Sequence, residues 1–280
     1  MSSERGWSER GSSERGSSES VSSERAAVAG IVLAAGQGRR LRPLSSVVPK
    51  ALCPMGASTL VDRAVVQVTA AFGSAAELNA PVAVNVHHGR EAMLAHFSQR
   101  GDVHLAVEEP HALGTAGAVA GLAGWLDGRA ALVVNADTVH DEDLHSFVDE
   151  WDGGRVRVLK VGESSFGPRS GVVASIVPRW AVQRLAPEPS GLWEVLWRPE
   201  LDAGRVDEVT AVGTVIDCGT PADYLRANLW LSGGESVIGE GAVLRGSVER
   251  SVIWPGAVVA QGEHLVDAVR ANAQTTVLVR

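Results

Sequence analysis

Between Gly30 and Met55 the chain reads GIVLAAGQGRRLRPLSSVVPKALCPM, an apolar run that closes on small residues and glycines, then on three arginines and a lysine. Gly36 and Gly38 carry no side chain, so the backbone there can approach a ligand closely. Arg39, Arg40, Arg42 and Lys50 follow with positive charge. Bare backbone backed by cations is the chemistry of anion binding. The spacing is not the dinucleotide fingerprint, because Leu41 stands at the third glycine position, and no G-K-[ST] closes a Walker loop. Lys50 and Lys160 are the only lysines in an arginine-rich chain. An ammonium at position 50 therefore reads as a point charge that a planar guanidinium would fill badly. Two acids belong to the same argument. Asp137 and Asp217 lie far apart in sequence, yet each ends an apolar run. Carboxylates brought together at one sheet edge repel unless a cation lies between them.

The elements that must position these groups are legible from periodicity. AVAGIVLAA reads as a strand buried on both faces, since it is continuous rather than alternating. Similar runs recur at 81–86, 103–107, 131–136 and 156–161. STLVDRAVVQVTAAF and DEDLHSFVDEW carry apolar residues at helical spacing between them. In CGTPADYLRANLWL, Thr220 can cap a helix with Pro221 at its first position and Asp223 three residues on. Strands alternating with helices predict an α/β fold, a Rossmann-like doubly wound and mostly parallel sheet. Ligands bind such sheets at the carboxyl ends of their strands. The loops after Ala35, Val86, Val107 and Ala136 are thus the expected site.

The full string LAAGQGRRLRPLSSVVPKAL closely resembles the signature of the sugar-phosphate nucleotidyltransferases, or nucleotide-sugar pyrophosphorylases. EEPHALGTAGAV, VVNADT and VIDCGTPADYL resemble three further family segments, in the expected order, from about residue 30 to 230. Within the family the chain most resembles the mannose-1-phosphate guanylyltransferases. The resemblance implies a transfer from a nucleoside triphosphate to a sugar 1-phosphate, giving a nucleotide sugar and pyrophosphate. It implies catalytic roles for Arg40 and Lys50. It implies nucleotide contacts from Leu33, Ala34, Ala35, Gly36, Gly38, Asn85, Gly114 and Thr115, and Mg²⁺ held by Asp137 and Asp217. The alternatives are a uridylyl or thymidylyl transfer to another sugar phosphate, and a silent homologue that binds nucleotide sugar and regulates a partner. Arg39 departs from the usual Thr or Ser, and Ala136 from the usual Gly. No E-K-P segment, which holds the sugar phosphate in many relatives, is present, and Lys160 is the lone lysine that could substitute.

Three regions are expected. Residues 1–26 are a Ser-, Gly-, Glu- and Arg-rich low-complexity tail, expected to be disordered. Residues 27–232 form the catalytic domain. In 233–280 aliphatics recur about every six residues between glycines, which predicts a short left-handed, hexapeptide-like β-helix. That segment makes a homo-oligomer possible. The net charge of -8 argues against a nucleic-acid partner. The lack of a long apolar run argues against a membrane span, and two distant cysteines fit a reducing, cytoplasmic compartment. His87 and His88 lack a third ligand for a metal site and read as packing or surface. Cys53 and Cys218 read as small buried residues.

Overall fold

A computed structural model describes residues 27–73 and 82–279. The expected low-complexity tail, 1–26, lies outside the described residues. Strand β1 (Val28–Leu33) is the centre of the molecule. Its even-numbered positions, Val28 and Val32, enter one hydrophobic core, and Ala29 and Ile31 enter another on the opposite face. The further strands of the sheet are β2 (Val82–Val86), β3 (Val103–Val107), β4 (Ala130–Asn135), β6 (Val156–Lys160), β7 (Val172–Val177) and β8 (Val206–Thr210). A short strand, β5 (Thr138–His140), lies outside this sheet. The order is β8-β6-β7-β4-β1-β2-β3, with β7 alone antiparallel to its neighbours. The mostly parallel α/β sheet expected from the sequence is therefore present.

Helices cover both faces, as a parallel sheet requires. Helix α1 (Leu60–Ala70) lays Val61, Val65 and Val68 on one face. It sits so close to β1 that a Cβ on Gly30 would come within 2.1 Å of Val68 Cγ1. Helices α2 (Arg90–Phe97) and α4 (Leu144–Asp149) share that core through Met93, Phe97, Leu144 and Phe147. Helix α3 (Gly114–Gly121) buries Ala116 and Val119 in the opposite core. Local chemistry sets the helix starts. Thr59 accepts from Asp62 N at 3.2 Å, and Thr220 accepts from Asp223 N at 3.2 Å to open α5 (Pro221–Leu231).

A third core joins the loop after β1 to the C-terminal segment. Leu41, Leu44 and Cys53 pack with Tyr224 and Leu225 of α5 and with Val252, Trp254 and Val269. Trp254 Nε1 donates to Tyr224 Oη at 3.0 Å. After α5 the chain forms short strands that return parallel beside one another. Val237 pairs Val252, which pairs Val269; Val243 pairs Val258; Val248 pairs Leu265. This stacking is compatible with a β-helix. It closes on Thr276–Leu278, which runs antiparallel to Ala268–Arg270.

Candidate active site

The register of the sheet assembles the site's floor. Leu33 at the end of β1 lies beside Asn85 on one side and Asn135 on the other. Three chain segments thus end at one carboxyl edge. Over that edge is a cavity of about 250 Å³. Leu33, Ala34, Ala35 and Gly36 line it from the loop after β1, and Lys50 and Ala51 from the turn beyond. Asn85, Ala112, Gly114 and Thr115 form the next wall, and Asn135, Ala136 and Asp137 the last. A Cβ on Gly36 would meet no protein atom within 4 Å, so the protein's own packing leaves that space open.

Gly38, expected among the contact residues, does not line the cavity. It has φ +64°, and a Cβ there would lie 2.8 Å from Lys50 Cβ. Its conformation lets the loop fold back on Lys50, with Ser45 Oγ donating to its carbonyl at 2.7 Å. Asn85 is a strut within the wall. Its Oδ1 accepts from Ala34 N at 2.6 Å, and its Nδ2 donates to Glu108 Oε1 at 2.7 Å. Glu108, also buried, accepts from Leu113 N at 2.7 Å through its other oxygen. Thr115 Oγ1 accepts from Leu192 N at 2.8 Å. Gly114 has φ +69°, and a Cβ there would lie 2.5 Å from Ser190 O.

The charged groups converge at one corner. The Lys50 ammonium contacts Asp137 Oδ2 and lies 3.8 Å from Asp217 Oδ1. Arg40 Nη2 lies 3.4 Å from Asp217 Oδ2 and packs against Gly219, where a Cβ would come within 2.8 Å of it. The ammonium is nearly buried, with its side chain 10% exposed, while Arg40 is open to solvent. Asp217 reaches this corner by a route the sequence did not predict. It ends β9 (Val215–Asp217), outside the main sheet, and β9 pairs antiparallel with β5. Asp217 thereby faces Thr138, one residue beyond Asp137. A second cavity of about 810 Å³ adjoins the first, and the two share Asn135 and Asp137. Arg40, Asp137 and Asp217 line it, together with the loop from Ser164 to Gly171.

Residues 29–158 match the nucleotidyl transferase family. This chain carries a nucleotidyl transferase domain. It is 25% identical over 275 residues to a mannose-1-phosphate guanylyltransferase of Mycobacterium tuberculosis, covering 85% of this chain and 73% of that one. It is 31% identical over 144 residues to an N-acetylmuramate alpha-1-phosphate uridylyltransferase of Caulobacter vibrioides, covering 48% of this chain and 57% of the relative. Its fold is similar to that of HddC from Yersinia pseudotuberculosis complexed with GMP-PN, with TM-score 0.58 and 15% identity, over 72% of this chain and 98% of that one.

Several groups of the protein lie apart from this corner. Lys160 is buried and donates to Gly162 O at 2.8 Å and Thr210 Oγ1 at 3.1 Å, so it does not enter either cavity. Glu109 pairs with Arg90, and it is its neighbour Glu108 that turns inward. His87 Nδ1 lies 2.9 Å from Glu108 O, and its ring meets His88 edge to face. Among the described residues no cluster of three His, Cys, Asp or Glu forms a metal site. Cys53 and Cys218 are both fully buried, and burial pushes the Cys53 thiol up to about 12 despite the nearby Lys50 charge. Asn135, Glu108 and the Ser164–Gly171 loop are the residues sequence reasoning missed. Asn135 sits within VVNADT, and its place two residues before Asp137 was the available signal.

Proposed function

We propose that this chain transfers a nucleotidyl group from a nucleoside triphosphate to a sugar 1-phosphate, giving a nucleoside-diphosphate sugar and pyrophosphate. The observation that carries the reading is the contact of the Lys50 ammonium with Asp137, 3.8 Å from Asp217, at the boundary where two cavities share Asp137. A smaller cavity walled by backbone suits the nucleotide, and the larger polar one suits the sugar phosphate. The meeting of two polyanions calls for positive charge and alignment between them.

An oxygen of the sugar phosphate attacks the α-phosphorus. The bond from that phosphorus to the bridging oxygen breaks, and its electron pair leaves on pyrophosphate. The attacking oxygen is already an anion, so no base need take a proton. Lys50 contacts the α-phosphate and the incoming phosphate. Arg40 holds the β- and γ-phosphates and stabilises the leaving group. The backbone of Ala35 and Gly36 approaches the nucleotide, while Gly114 and Thr115 lie near its base. Asp137 and Asp217 would hold Mg²⁺, because both already converge on one cation and offer the hard oxygen donors that this metal takes from one or two carboxylates plus phosphate. When bound, the metal would draw charge from the phosphoryl oxygens.

GTP with mannose 1-phosphate is the favoured pair, since the mannose-1-phosphate relative aligns over 85% of the chain. UTP with an N-acetylated sugar 1-phosphate is the second, on the 31% identity to the uridylyltransferase. The C-terminal stack of parallel strands is read as a short left-handed β-helix that braces the loop of Arg40 and Lys50 through the third core. Pyrophosphate release across a grid of triphosphates and sugar 1-phosphates, with mass spectrometry of the nucleotide sugar, tests the reading. One productive pair supports it, and no turnover with any pair refutes it in favour of a silent binding protein.

A further inference from the structure

The larger cavity is lined by four charged side chains: Arg40, Asp137, Arg169 and Asp217. Arg40 is already engaged with Asp217, and Asp137 with Lys50. A phosphate dianion entering between two carboxylates is repelled unless another cation meets it. Arg169 is the remaining cation of that wall, and its guanidinium has no ion pair or hydrogen bond among the described residues.

The loop that carries Arg169 is built as a fixed support. Ser170 N donates to Gly167 O, and Gly167 N donates to Ser170 Oγ, each at 3.0 Å, closing a turn with Arg169 at its tip. Phe166, just before the turn, is buried edge-on against Trp193 and Trp197, with ring centroids 5.5 and 5.6 Å apart. Phe166 N donates to Glu208 Oε2 at 3.0 Å. Beyond the turn, Val161 N donates to Gly171 O at 2.9 Å. The backbone of Arg169 is thus pinned on both sides while its side chain projects free along the cavity wall. Lys160, the other basic residue nearby in sequence, is consumed by its bonds to Gly162 and Thr210.

We propose that Arg169 binds the phosphate of the acceptor sugar and sets the preference of this half of the site for a phosphorylated over a neutral sugar. The inference rests on the nucleotidyl-transfer reading above. A guanidinium fork matches two phosphate oxygens at once, which orients the attacking oxygen as well as neutralising charge.

The test is initial-rate kinetics with GTP and mannose 1-phosphate, and with UTP and N-acetylglucosamine 1-phosphate, for wild type, Arg169→Gln and Arg169→Lys. In Arg169→Gln the KM for the sugar phosphate rises by ~10-fold or more, as loss of a charge-assisted contact requires. The KM for the triphosphate stays within about twofold, because the nucleotide wall is intact. Arg169→Lys recovers part of the loss. An unchanged acceptor KM, or equal rises in both KM values, overturns the inference while leaving the transfer reading standing. Absence of turnover in wild type with every pair of a full grid overturns both.

Discussion

Asn85 and Glu108 are locked to each other, with Asn85 Nδ2 donating to Glu108 Oε1 at 2.7 Å and both side chains buried. This bond fixes which way the Asn85 amide points, so that Oδ1 faces Ala34 N at 2.6 Å. The second Glu108 oxygen holds Leu113 N, at the start of α3. Three segments of the smaller cavity's wall, proposed to hold the nucleotide, are therefore tied through one carboxylate. Glu108→Gln keeps the shape but gives the amide one oxygen where two acceptors are needed. We expect a KM for the triphosphate raised by ~10-fold and a modest fall in melting temperature. Glu108→Ala leaves the buried Asn85 amide donor unmatched, at about 1–3 kcal/mol, and the half-buried Leu113 N–H as well, and should unfold several degrees earlier. An unaltered triphosphate KM in Glu108→Gln would show that the link does not shape the nucleotide wall.

Gly36 and Gly38 separate binding from stability. At Gly38 the φ of +64° and the 2.8 Å approach to Lys50 Cβ make an added methyl costly. Gly38→Ala should lose about 1–2 kcal/mol and displace Lys50, lowering activity as well. At Gly36 a Cβ meets no protein atom, yet it would stand in the cavity. Gly36→Ala should keep the wild-type melting temperature and weaken triphosphate binding. Equal thermal shifts in the two variants would contradict this.

Lys50→Arg should lose ~100-fold or more in rate although charge is retained. Its side chain is only 10% exposed, in contact with Asp137 and 3.8 Å from Asp217, and a planar guanidinium spreads its charge where a compact ammonium concentrates it. Near-normal rates in Lys50→Arg would identify the residue as a general source of positive field.

His140 makes the ribbon that carries Asp217 sensitive to acid. It is buried in β5 opposite Val215, and Gln67 Nε2 donates to its carbonyl at 2.8 Å. Burial, reinforced by the Arg63 charge and opposed by Asp141, pulls its pKa from 6.5 down to about 4. Between those values the unfolded chain binds a proton that the folded one does not, so stability rises with pH across the window and is lost as pH falls. The contribution is on the order of 3 kcal/mol above pH 6.5. Melting temperature should fall between pH 6.5 and 4, and His140→Gln should flatten that slope. Identical pH profiles would remove His140 from the account.

Much of this was legible in the sequence, and particular residues show where legibility stopped. The glycine-rich turn and Asp137 each follow a continuous apolar strand, so local pattern was enough to put them at one sheet edge, while Lys50 was legible from its charge and its place in the same loop. The Thr220 cap of α5 likewise followed from residues within one turn. Asp217 was expected at the same edge, but its carrier was misjudged, because pairing of β9 with β5 is a contact between distant segments that periodicity does not encode. Glu108 and Glu109 are adjacent and chemically alike. Which of them turns inward is decided by the backbone path after β3 and by the waiting amide of Asn85. Arg169 lies in a stretch with no period at all, where the position of the side chain depends on Phe166 finding Trp193 and Trp197. The helical segment that carries those tryptophans has a turn, Trp193–Trp197, of the wider π type.

Asp137 and Asp217 are proposed to act together as the cation site of a nucleotidyl transfer. Steady-state pyrophosphate release with Mg²⁺, measured for wild type with and without EDTA and for Asp137→Asn and Asp217→Asn, tests it most directly. EDTA should abolish the wild-type rate, and each variant should stay folded while losing at least ~100-fold, on the order of a few kcal/mol of transition-state stabilisation. A wild-type rate indifferent to EDTA, or either variant turning over like wild type, would contradict it.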